Sequence, residues 1–199
     1  MPKQVDHDER RREIAEALWR LTLQEGIGAV SFRKVAAEAG VSVRRIQYYF
    51  GTKSQLLADS LQLLGELVVE RGTRAFEALG PDPSPRAMLR AMFESALPHD
   101  VGSRDTSAAW WTFYVNAITD PDLRSREALD APAWVIPFAA DLIGRAADDG
   151  RVRPGVDPDL EARLLMSAFY GLSIAVLAGT MSPAGASEAI DYRLDQIFA

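Results

Sequence analysis

The sequence has no cysteine and only two histidines, His7 and His99. Without cysteine, neither a disulfide framework nor a thiolate metal site can form, and the composition suits a reducing compartment. The longest apolar stretches, such as "AFYGLSIAVLAGTM", are shorter than the roughly 20 residues that span a bilayer, and no cationic and apolar leader opens the chain. We therefore expect a soluble, cytoplasmic protein with no membrane segment, no metal and no cofactor.

The signals of an enzyme are also missing. No phosphate-binding loop, nucleophile elbow or cluster of metal ligands stands in the sequence. The acidic residues Asp148, Asp149, Asp157 and Asp159 lie beside Gly or Pro, where solvated acidic side chains are common. A lone histidine such as His99 is more typical of a surface residue than of a catalytic base. The sequence predicts a protein that is not an enzyme.

The charged residues are distributed unevenly along the chain. The formal net charge is −6, which argues against a protein that coats nucleic acid with its whole surface. Residues 1–53, however, hold ten Lys and Arg against seven Asp and Glu, whereas residues 54–199 hold twelve against twenty-one. The first segment therefore carries +3 and the second −9. This split predicts one face for a polyanion and another for water or a different ligand.

Nearly every segment has the apolar periodicity of an α-helix, with breaks at Gly and Pro, and no convincing strand pattern is present. We predict an all-α fold of about nine helices in two domains, residues 1–53 and residues 54–199. The predicted helices cover residues 8–24, 32–39, 43–50, 53–79, 85–97, 104–119, 122–150, 158–179 and 184–198. Pro132 and Pro137 are expected to bend the seventh helix.

The stretch "FRKVAAEAGVSVRRIQYYFGTK" has the pattern of a helix-turn-helix. In that motif the first helix needs a small residue where it packs on the second, the turn needs a residue that tolerates positive φ, and the second helix needs an apolar anchor. Ala36, Gly40 and Ile46 stand at those places, and Ser31 and Ser42 can cap the two helices. The alternative is an ordinary helical hairpin, which would not require the polar residues of the outward side.

The outward side chains of the second helix have the chemistry to bind duplex DNA. A helix in the major groove reads bases through arginine forks to guanine and glutamine amides to adenine, while tyrosine hydroxyls and lysine engage phosphates. Arg44 and Gln47 are the predicted base readers. Ser31 and Ser42, with the free amides of the helices they cap, are suited to phosphate oxygens. For each single residue the alternative is a side chain that is merely solvated.

The segment "EIAEALWRLTLQEGIGAVSFRKVAAEAGVSVRRIQYYFGTKSQLLADSL" resembles the N-terminal DNA-binding domain of the TetR family of transcriptional regulators, with every element in order. The resemblance implies an all-α homodimer whose helix-turn-helix reads a palindromic DNA operator. It also implies a variable C-terminal helical domain that binds a small molecule and thereby releases the DNA, as in a repressor. The alternatives are an activator and a DNA-binding regulator without a small-molecule ligand.

The resemblance also assigns residues by position. The family's DNA-contacting places are occupied here by Arg33, Val43, Arg44, Arg45, Gln47, Tyr48, Tyr49 and Lys53. Many members read Tyr-x-His-Phe where this chain reads Gln47-Tyr48-Tyr49-Phe50, so a phosphate-contacting tyrosine is replaced by glutamine and a histidine by tyrosine. Which of Gln47, Tyr48 and Tyr49 reads bases and which contacts phosphates therefore stays open.

Aromatic and methionine side chains are concentrated between residues 88 and 138. Most such residues fill a core, but two adjacent tryptophans cannot both point the same way on a helix, and proline opens gaps in a neighbouring helix. With the family resemblance, this predicts a mostly apolar pocket for a small, largely apolar ligand. The predicted contacts are Met88, Met92, Trp110, Phe113, Tyr114, Asn116, Trp134 and Phe138.

The last two predicted helices have sequences suited to a helix–helix interface. The segment "ARLLMSAFYGLSIAVLAG" alternates bulky residues with Ala, Gly and Ser, which lets another helix approach closely. The final helix carries Ile190, Leu194 and Ile197 in one stripe. We predict a homodimer through these two helices, although packing within one chain would explain the stripe nearly as well.

Overall fold

The computed structural model describes the backbone of residues 2–119 and 134–199, and the side chains of residues 7–118 and 134–199. Within these residues the chain forms nine α-helices and no strand, as predicted. The helices are α1 (Pro2–Glu25), α2 (Phe32–Glu38), α3 (Val43–Phe50), α4 (Lys53–Glu77), α5 (Pro85–Ala96), α6 (Val101–Thr119), α7 (Val135–Asp148), α8 (Pro158–Leu177) and α9 (Pro183–Ile197). Except for the starts of α1 and α7, every bound lies within three residues of its predicted place.

The contacts divide the described chain into two compact units that interleave along the sequence. The first unit contains the residues up to Glu66 and the part of α6 from Ala108 onward. The second contains Leu67–Ser107 and residues 134–199. Both α4 and α6 therefore contribute to both units. The domain boundary predicted after residue 53 stays a prediction, and the contacts themselves change within α4, after Glu66.

The first unit is built around the apolar faces of α1, α2, α3 and the first half of α4. Its buried side chains recur three and four residues apart, as one face of a helix requires. They include Ile14, Leu18 and Leu21 of α1, Val35 and Ala36 of α2, Ile46 and Phe50 of α3, and Leu57, Leu61 and Leu64 of α4. The indole Nε1 of Trp19 also donates a hydrogen bond to the Ser60 carbonyl at 3.2 Å, which links α1 to α4.

The second unit packs α5, α7, α8 and α9 around one apolar core. Leu89 and Phe93 of α5, Leu142 and Ile143 of α7, Leu165 and Met166 of α8, and Ile190 and Leu194 of α9 are among its buried members. Ion pairs border this core: Arg86 contacts Asp195 at 2.6 Å, and Arg90 contacts Asp191 at 2.9 Å. The hydrogen bond to Asp191 raises the pKa of the Arg90 guanidinium above its ordinary value.

The apolar stripe of the final helix lies inside this core. Ile190, Leu194 and Ile197 are at most 3% exposed. Of the two explanations for this stripe, packing within one chain and a dimer interface, packing within one chain therefore accounts for it. The exposed apolar side chains of the last two helices are Leu160, Leu164 and Ile174 of α8 and Tyr192 of α9.

Helix α8 also has the length and apolar composition that a membrane span requires. Among the described helices, α8 alone is long and apolar enough to cross a membrane. This is weak evidence for a membrane span, because core helices of soluble proteins pass the same test. Within the chain, 28% of its most apolar part is buried.

The start of α7 corrects the expected effect of Pro137. Because α7 begins at Val135, Pro137 lies in its first turn, where the missing N–H removes no helical hydrogen bond. The next residue, Phe138, donates its N–H to the Trp134 carbonyl at 3.1 Å. The bend predicted at Pro137 is therefore wrong, while Pro132 and the rest of the predicted helix before residue 134 lie outside the described residues.

Candidate nucleic-acid interface

Local sequence signals define the ends of α2 and α3. Ser31 and Ser42 are the N-cap residues, and their hydroxyl oxygens accept hydrogen bonds from the backbone N–H groups of Lys34 at 3.4 Å and Arg45 at 3.2 Å. Gly40 has a φ of 65°, a left-handed conformation that residues with a Cβ adopt at a cost. Only four residues separate α2 from α3. The two helices thus form the predicted helix-turn-helix.

Apolar anchors determine which side of α3 faces water. Ile46 is fully buried and Phe50 is 3% exposed, and Ala36 of α2 is 4% exposed. Since Ile46 and Phe50 are four residues apart on one face of the helix, the opposite face is directed to solvent. Small Ala36 allows the close packing that the motif requires.

All ten predicted DNA-contacting side chains are accessible. Arg33, Ser42, Val43, Arg44, Arg45, Gln47, Tyr48 and Lys53 are exposed, and Ser31 and Tyr49 are half-buried. Tyr48 is 77% exposed, which is high for an aromatic side chain. The accessibility is what DNA contact requires, and the contacts themselves stay predictions.

Four exposed cations on or next to the helix-turn-helix form no ion pair within the part of the chain that the structure describes. Among the described residues, no ion pair involves Arg33, Arg44, Arg45 or Lys53, which we call the cationic face. Two neighbouring basic side chains are paired instead: Arg20 with Glu38 at 2.9 Å and Lys34 with Glu25 at 2.5 Å. Uncompensated positive charge attracts a polyanion, and Lys and Arg contacts to phosphates supply most of the non-specific affinity for DNA.

Only Gly51 and Thr52 join α3 to α4. Gly51 has a φ of 67°, and its N–H donates to the Gln47 carbonyl at 2.9 Å, which closes the last turn of α3. The Thr52 hydroxyl oxygen accepts a hydrogen bond from the Gln55 N–H at 3.1 Å and so caps α4. Both residues of the connection between α3 and α4 thus take part in a capping hydrogen bond.

Four of the predicted ligand contacts lie in the second unit. Met92 is 8% exposed within its core, Met88 and Phe138 pack partly buried against that core, and Trp134 is 47% exposed. The ring centroids of Trp134 and Phe138 are 6.0 Å apart, and those of Phe76 and Phe138 are 6.1 Å apart. Phe138 therefore lies between the rings of Trp134 and Phe76.

The other four predicted ligand contacts belong to α6 in the first unit. Phe113 is 3% exposed and serves as a core residue. The rings of Trp110 and Tyr114 stack at 6.4 Å with an angle of 17°, and Trp111 meets Tyr114 edge to face at 5.7 Å. The Asn116 side chain donates to a backbone carbonyl of its own helix at 2.8 Å. No group of His, Asp and Glu within the described residues is placed to hold a metal ion.

Two family models match the chain, one near its N-terminus and one over its C-terminal part. The model for the C-terminal region of BetI-type transcriptional repressors matches residues 85–199, more than half of the chain, and the model for bacterial regulatory proteins of the tetR family matches residues 14–59. The chain belongs to the TetR family of transcriptional regulators. As a TetR-family member it is a DNA-binding transcriptional regulator, and the prediction that it is not an enzyme is confirmed.

Two relatives show how far the similarity of this TetR-family chain extends. The HTH-type transcriptional regulator PksA of Bacillus subtilis (strain 168) is 29% identical over 175 residues, which are 87% of this chain and 82% of PksA. The HTH-type transcriptional regulator BetI of Brucella anthropi is 35% identical over 124 residues, which are 62% of each chain. The alignment with that BetI therefore spans less than two thirds of its length.

Solved structures share the fold over almost the whole chain. A transcriptional regulator of Saccharomonospora viridis, solved in complex with choline, superimposes with a TM-score of 0.81 at 26% identity and covers 96% of this chain and 99% of its own. A TetR regulator of Haloarcula marismortui superimposes with a TM-score of 0.79 at 20% identity, which shows the fold alone. The TetR fold thus accounts for both units.

One contact beside the TetR reading helix was not predicted from the sequence. The helix α1 begins at Pro2 rather than near Asp8, and this places His7 against the rings of Tyr48 and Tyr49. Arg11 lies one turn later on the same helix and contacts Phe50. His7 and Arg11 are four residues apart, so on a helix they lie on the same face. The sequence could indicate this shared face only if α1 was predicted to start before His7.

Proposed function

We propose that this TetR-family regulator is a cytoplasmic repressor that binds a palindromic operator as a homodimer and releases it when a small organic molecule binds. The observation that supports the operator contact is the cationic face: four exposed cations without carboxylate partners on the helix-turn-helix of an acidic chain. The same observation fits an activator, because repression and activation use the same DNA contact.

Arg44 of the cationic face and Gln47 beside it are the proposed base readers. Both are exposed, Arg44 in the first turn of α3 and Gln47 one turn later. Arginine binds the O6 and N7 atoms of guanine, and glutamine binds the N6 and N7 atoms of adenine. Ser31 and Ser42 use an oxygen lone pair for capping, so each hydroxyl hydrogen stays available to a phosphate oxygen.

Dimerisation through α8 and α9 is the next part of the proposal. Leu160, Leu164, Ser167, Gly171 and Ile174, which we call the α8 stripe, are spaced by four and three residues in turn, and all are exposed. A Cβ added at Gly171 would meet no atom within 4 Å, so this part of the stripe is open and a second helix can approach closely. A two-fold copy would bring two reading helices to successive major grooves, about 34 Å apart.

The dimer proposal is tested by placing a charge on the stripe. We expect Ile174→Asp, at a site 49% exposed in the single chain, to shift the protein to a monomer in sedimentation velocity. Val69→Asp on α4, 47% exposed, is the matched control and should leave the dimer intact. A dimer that survives Ile174→Asp would exclude the α8 stripe as the interface.

We propose further that the ligand is a small organic cation with apolar groups, of which choline is the test case. Trp110, Trp111 and Tyr114 form an aromatic cluster on α6, and aromatic rings bind quaternary ammonium groups through cation–π attraction. The net charge of −9 on residues 54–199 also favours a cation over an anion. The similar regulator of Saccharomonospora viridis was solved with choline.

The proposed release follows from the packing of α6 on α4. Trp110 Cζ3 lies 3.8 Å from the position of a Cβ at Gly65 of α4, so a ligand that moves the tryptophan ring presses on that helix. The start of α4 is joined to α3 by two residues. Ligand binding can therefore change the spacing of the two reading helices in a dimer, which lowers the affinity for a palindrome.

Operator binding is tested by selecting bound sequences from a random duplex pool at fixed salt, because phosphate contacts make affinity steeply salt-dependent. Wild type should enrich a palindrome, and Arg44→Ala should lose preference at one symmetric pair of positions. Arg74→Ala removes an exposed arginine from the end of α4 and is the matched control. A wild-type dimer that enriches no sequence would contradict the proposal.

The ligand is tested by tryptophan fluorescence with choline and with dimethylbutanol, in which a neutral tert-butyl group replaces trimethylammonium. Choline should quench the emission, stabilise the fold and weaken operator binding, whereas the neutral isostere should do none of these. If no small cation alters the fluorescence or the DNA affinity, the regulator without a small-molecule ligand becomes the better description.

A further inference from the structure

The N-terminal part of α1 contacts the aromatic last turn of α3. The ring of His7 lies 4.6 Å from that of Tyr49 and 6.4 Å from that of Tyr48, in edge-to-face geometry. The two tyrosine rings are 5.3 Å apart. Each of the three rings therefore contacts the other two, an arrangement that favours one set of rotamers over the alternatives.

Arg11 anchors α1 beside this ring cluster. It lies one helical turn after His7, and its guanidinium carbon is 5.4 Å from the centroid of the Phe50 ring. It also forms an ion pair with Asp59 of α4, whose side chain is only 12% exposed and accepts a hydrogen bond from Gln55 at 2.6 Å. These contacts hold the face of α1 that carries His7 against α3.

The exposure of Tyr48 explains why such support matters. With 77% of the residue accessible, few other contacts restrict its side chain. A hydrogen bond from its hydroxyl to DNA must overcome the entropy lost when a mobile side chain adopts one rotamer. Ring contacts that restrict the rotamer before DNA arrives reduce that loss, so they raise the affinity without touching DNA.

The position of the tyrosines in α3 indicates what they contact. A reading helix contacts base edges through its N-terminal residues, and Tyr48 and Tyr49 lie in the last turn of α3, which ends at Phe50. A tyrosine hydroxyl at that end is suited to a phosphate oxygen. Arg44 lies in the first turn of α3, where bases are read, and Gln47 lies between Arg44 and the tyrosines.

We infer that His7 is a positioning residue for DNA binding, which holds Tyr48 and Tyr49 so that their hydroxyls bind backbone phosphates. The inference rests on the proposed function, and on the prediction from the sequence that these tyrosines contact DNA. It adds a residue on α1 to the determinants of affinity and assigns both tyrosines to the phosphates. Phosphate contacts carry no sequence information, so the effect of His7 must be similar on any duplex.

The first experiment compares His7→Ala, His7→Phe and Gln24→Ala. Affinity is measured by fluorescence anisotropy for the operator selected by wild type and for a scrambled duplex at low salt, where non-specific binding is measurable. His7→Ala should weaken binding to both duplexes by about three- to tenfold, the range of one aromatic contact. His7→Phe keeps an edge-to-face ring and should stay within about twofold of wild type. Gln24→Ala, an exposed neutral change on the same helix, should have no effect.

A double-mutant cycle then tests whether His7 acts through the tyrosines. In a chain with Tyr48→Ala and Tyr49→Ala, the further change His7→Ala should alter affinity less than about twofold, because the groups it positions are gone. Thermal denaturation of each free variant checks that the fold is retained.

Three results would overturn the inference: equal affinity of wild type and His7→Ala, an effect of His7→Ala that persists in the tyrosine-free background, or a loss confined to the selected operator. Failure of the proposed function gives a different pattern. If the tyrosine-free chain binds as wild type does while Arg44→Ala loses the operator, the tyrosine contacts are wrong and operator reading stands. If Arg44→Ala also binds as wild type does, the proposed reading surface itself is wrong.

Discussion

The arginines on α5 of the second unit and those on the cationic face of the first unit differ in their partners. On α5 of the second unit, Arg86 and Arg90 face the carboxylates of Asp195 and Asp191, whereas the cationic face of the first unit has no such partner among the described residues. A net charge of −6 therefore coexists with an uncompensated positive surface, because many of the carboxylates lie elsewhere and neutralise other cations.

The comparison separates cations whose ion pairs stabilise the fold from cations that we propose bind DNA. A paired surface arginine contributes a little to stability and is screened by salt. An unpaired arginine gains no ion-pair stabilisation, so for the cationic face we expect substitutions to change DNA binding more than stability. The predictions below test this separation, beginning with the buried residue that determines which side of α3 faces outward.

The largest effect is expected from Ile46→Ala. Ile46 is fully buried, and its truncation should lower the free energy of unfolding by about 2–5 kcal/mol in urea denaturation followed by circular dichroism. Operator binding should fail with it, because α3 loses its anchor. Val43→Ala on the same helix, 38% exposed, is the control and should cost less than about 1 kcal/mol. Similar losses for the two variants would contradict the assigned orientation of α3.

Removing one member of the cationic face should change DNA binding and leave stability unaffected. We expect Lys53→Ala to weaken binding to specific and non-specific duplexes alike and to reduce the slope of log affinity against log salt by about 1. The measurement is a series of anisotropy titrations at increasing salt. Arg74→Ala should leave the slope unchanged, and an equal reduction in that variant would mean that the positive charge acts only at long range.

Breaking an ion pair in the second unit should lower stability and leave DNA binding unaffected. Asp191→Asn removes the partner of Arg90 and should lower the free energy of unfolding by about 0.5–1 kcal/mol, since the two side chains are 43% and 33% exposed and solvent screens the pair. The loss should shrink at high salt, while DNA affinity stays unchanged. Glu188→Gln, an exposed change on the same helix, is the control. A drop in DNA affinity without a loss of stability would contradict the view that this ion pair stabilises the fold and takes no part in DNA binding.

The smallest effect concerns the start of α6. The backbone N–H of Ser103 donates to Asp100 Oδ1 at 2.7 Å, and this hydrogen bond, followed by that of the Ser103 side chain, lowers the pKa of Asp100. The folded state then binds the proton less readily than the unfolded state, so the stabilisation is present above the ordinary carboxyl pKa, near 3.8, and is lost as the pH falls through the lower folded value.

Acid titration measures this contribution. The difference in thermal midpoint between wild type and Asp100→Asn should be constant near neutral pH and should narrow below about pH 4. A difference that widens on acidification would contradict the assigned direction of the pKa shift.

Much of this fold could be predicted because its signals are local. Ser31, Gly40 and Ser42 define α2 and α3 through caps and a left-handed turn, and Ile46 and Phe50 give the buried face by spacing alone. The exposed side of the helix-turn-helix follows from that face, so its candidate DNA contacts could be named without coordinates.

Features that depend on tertiary contacts were harder to predict. The stripe of Ile190, Leu194 and Ile197 has the same spacing whether it packs within one chain or between two, and only the core of the second unit decides between them. Pro137 breaks a helix in its interior but not in its first turn, so its effect depended on where α7 begins. The contact of His7 with the tyrosines required the early start of α1.

The interleaving of the two units limits how this regulator can exchange parts with its relatives. The unit that holds the reading helix is completed by α6 residues from Ala108 onward, which follow forty-one residues of the other unit. A recombination event that replaced everything after Glu66 would bring in a new second unit but would also replace part of the packing around α4. With the ligand site that we propose on α6, ligand specificity would therefore change more easily through substitutions on α6 than through the transfer of whole segments.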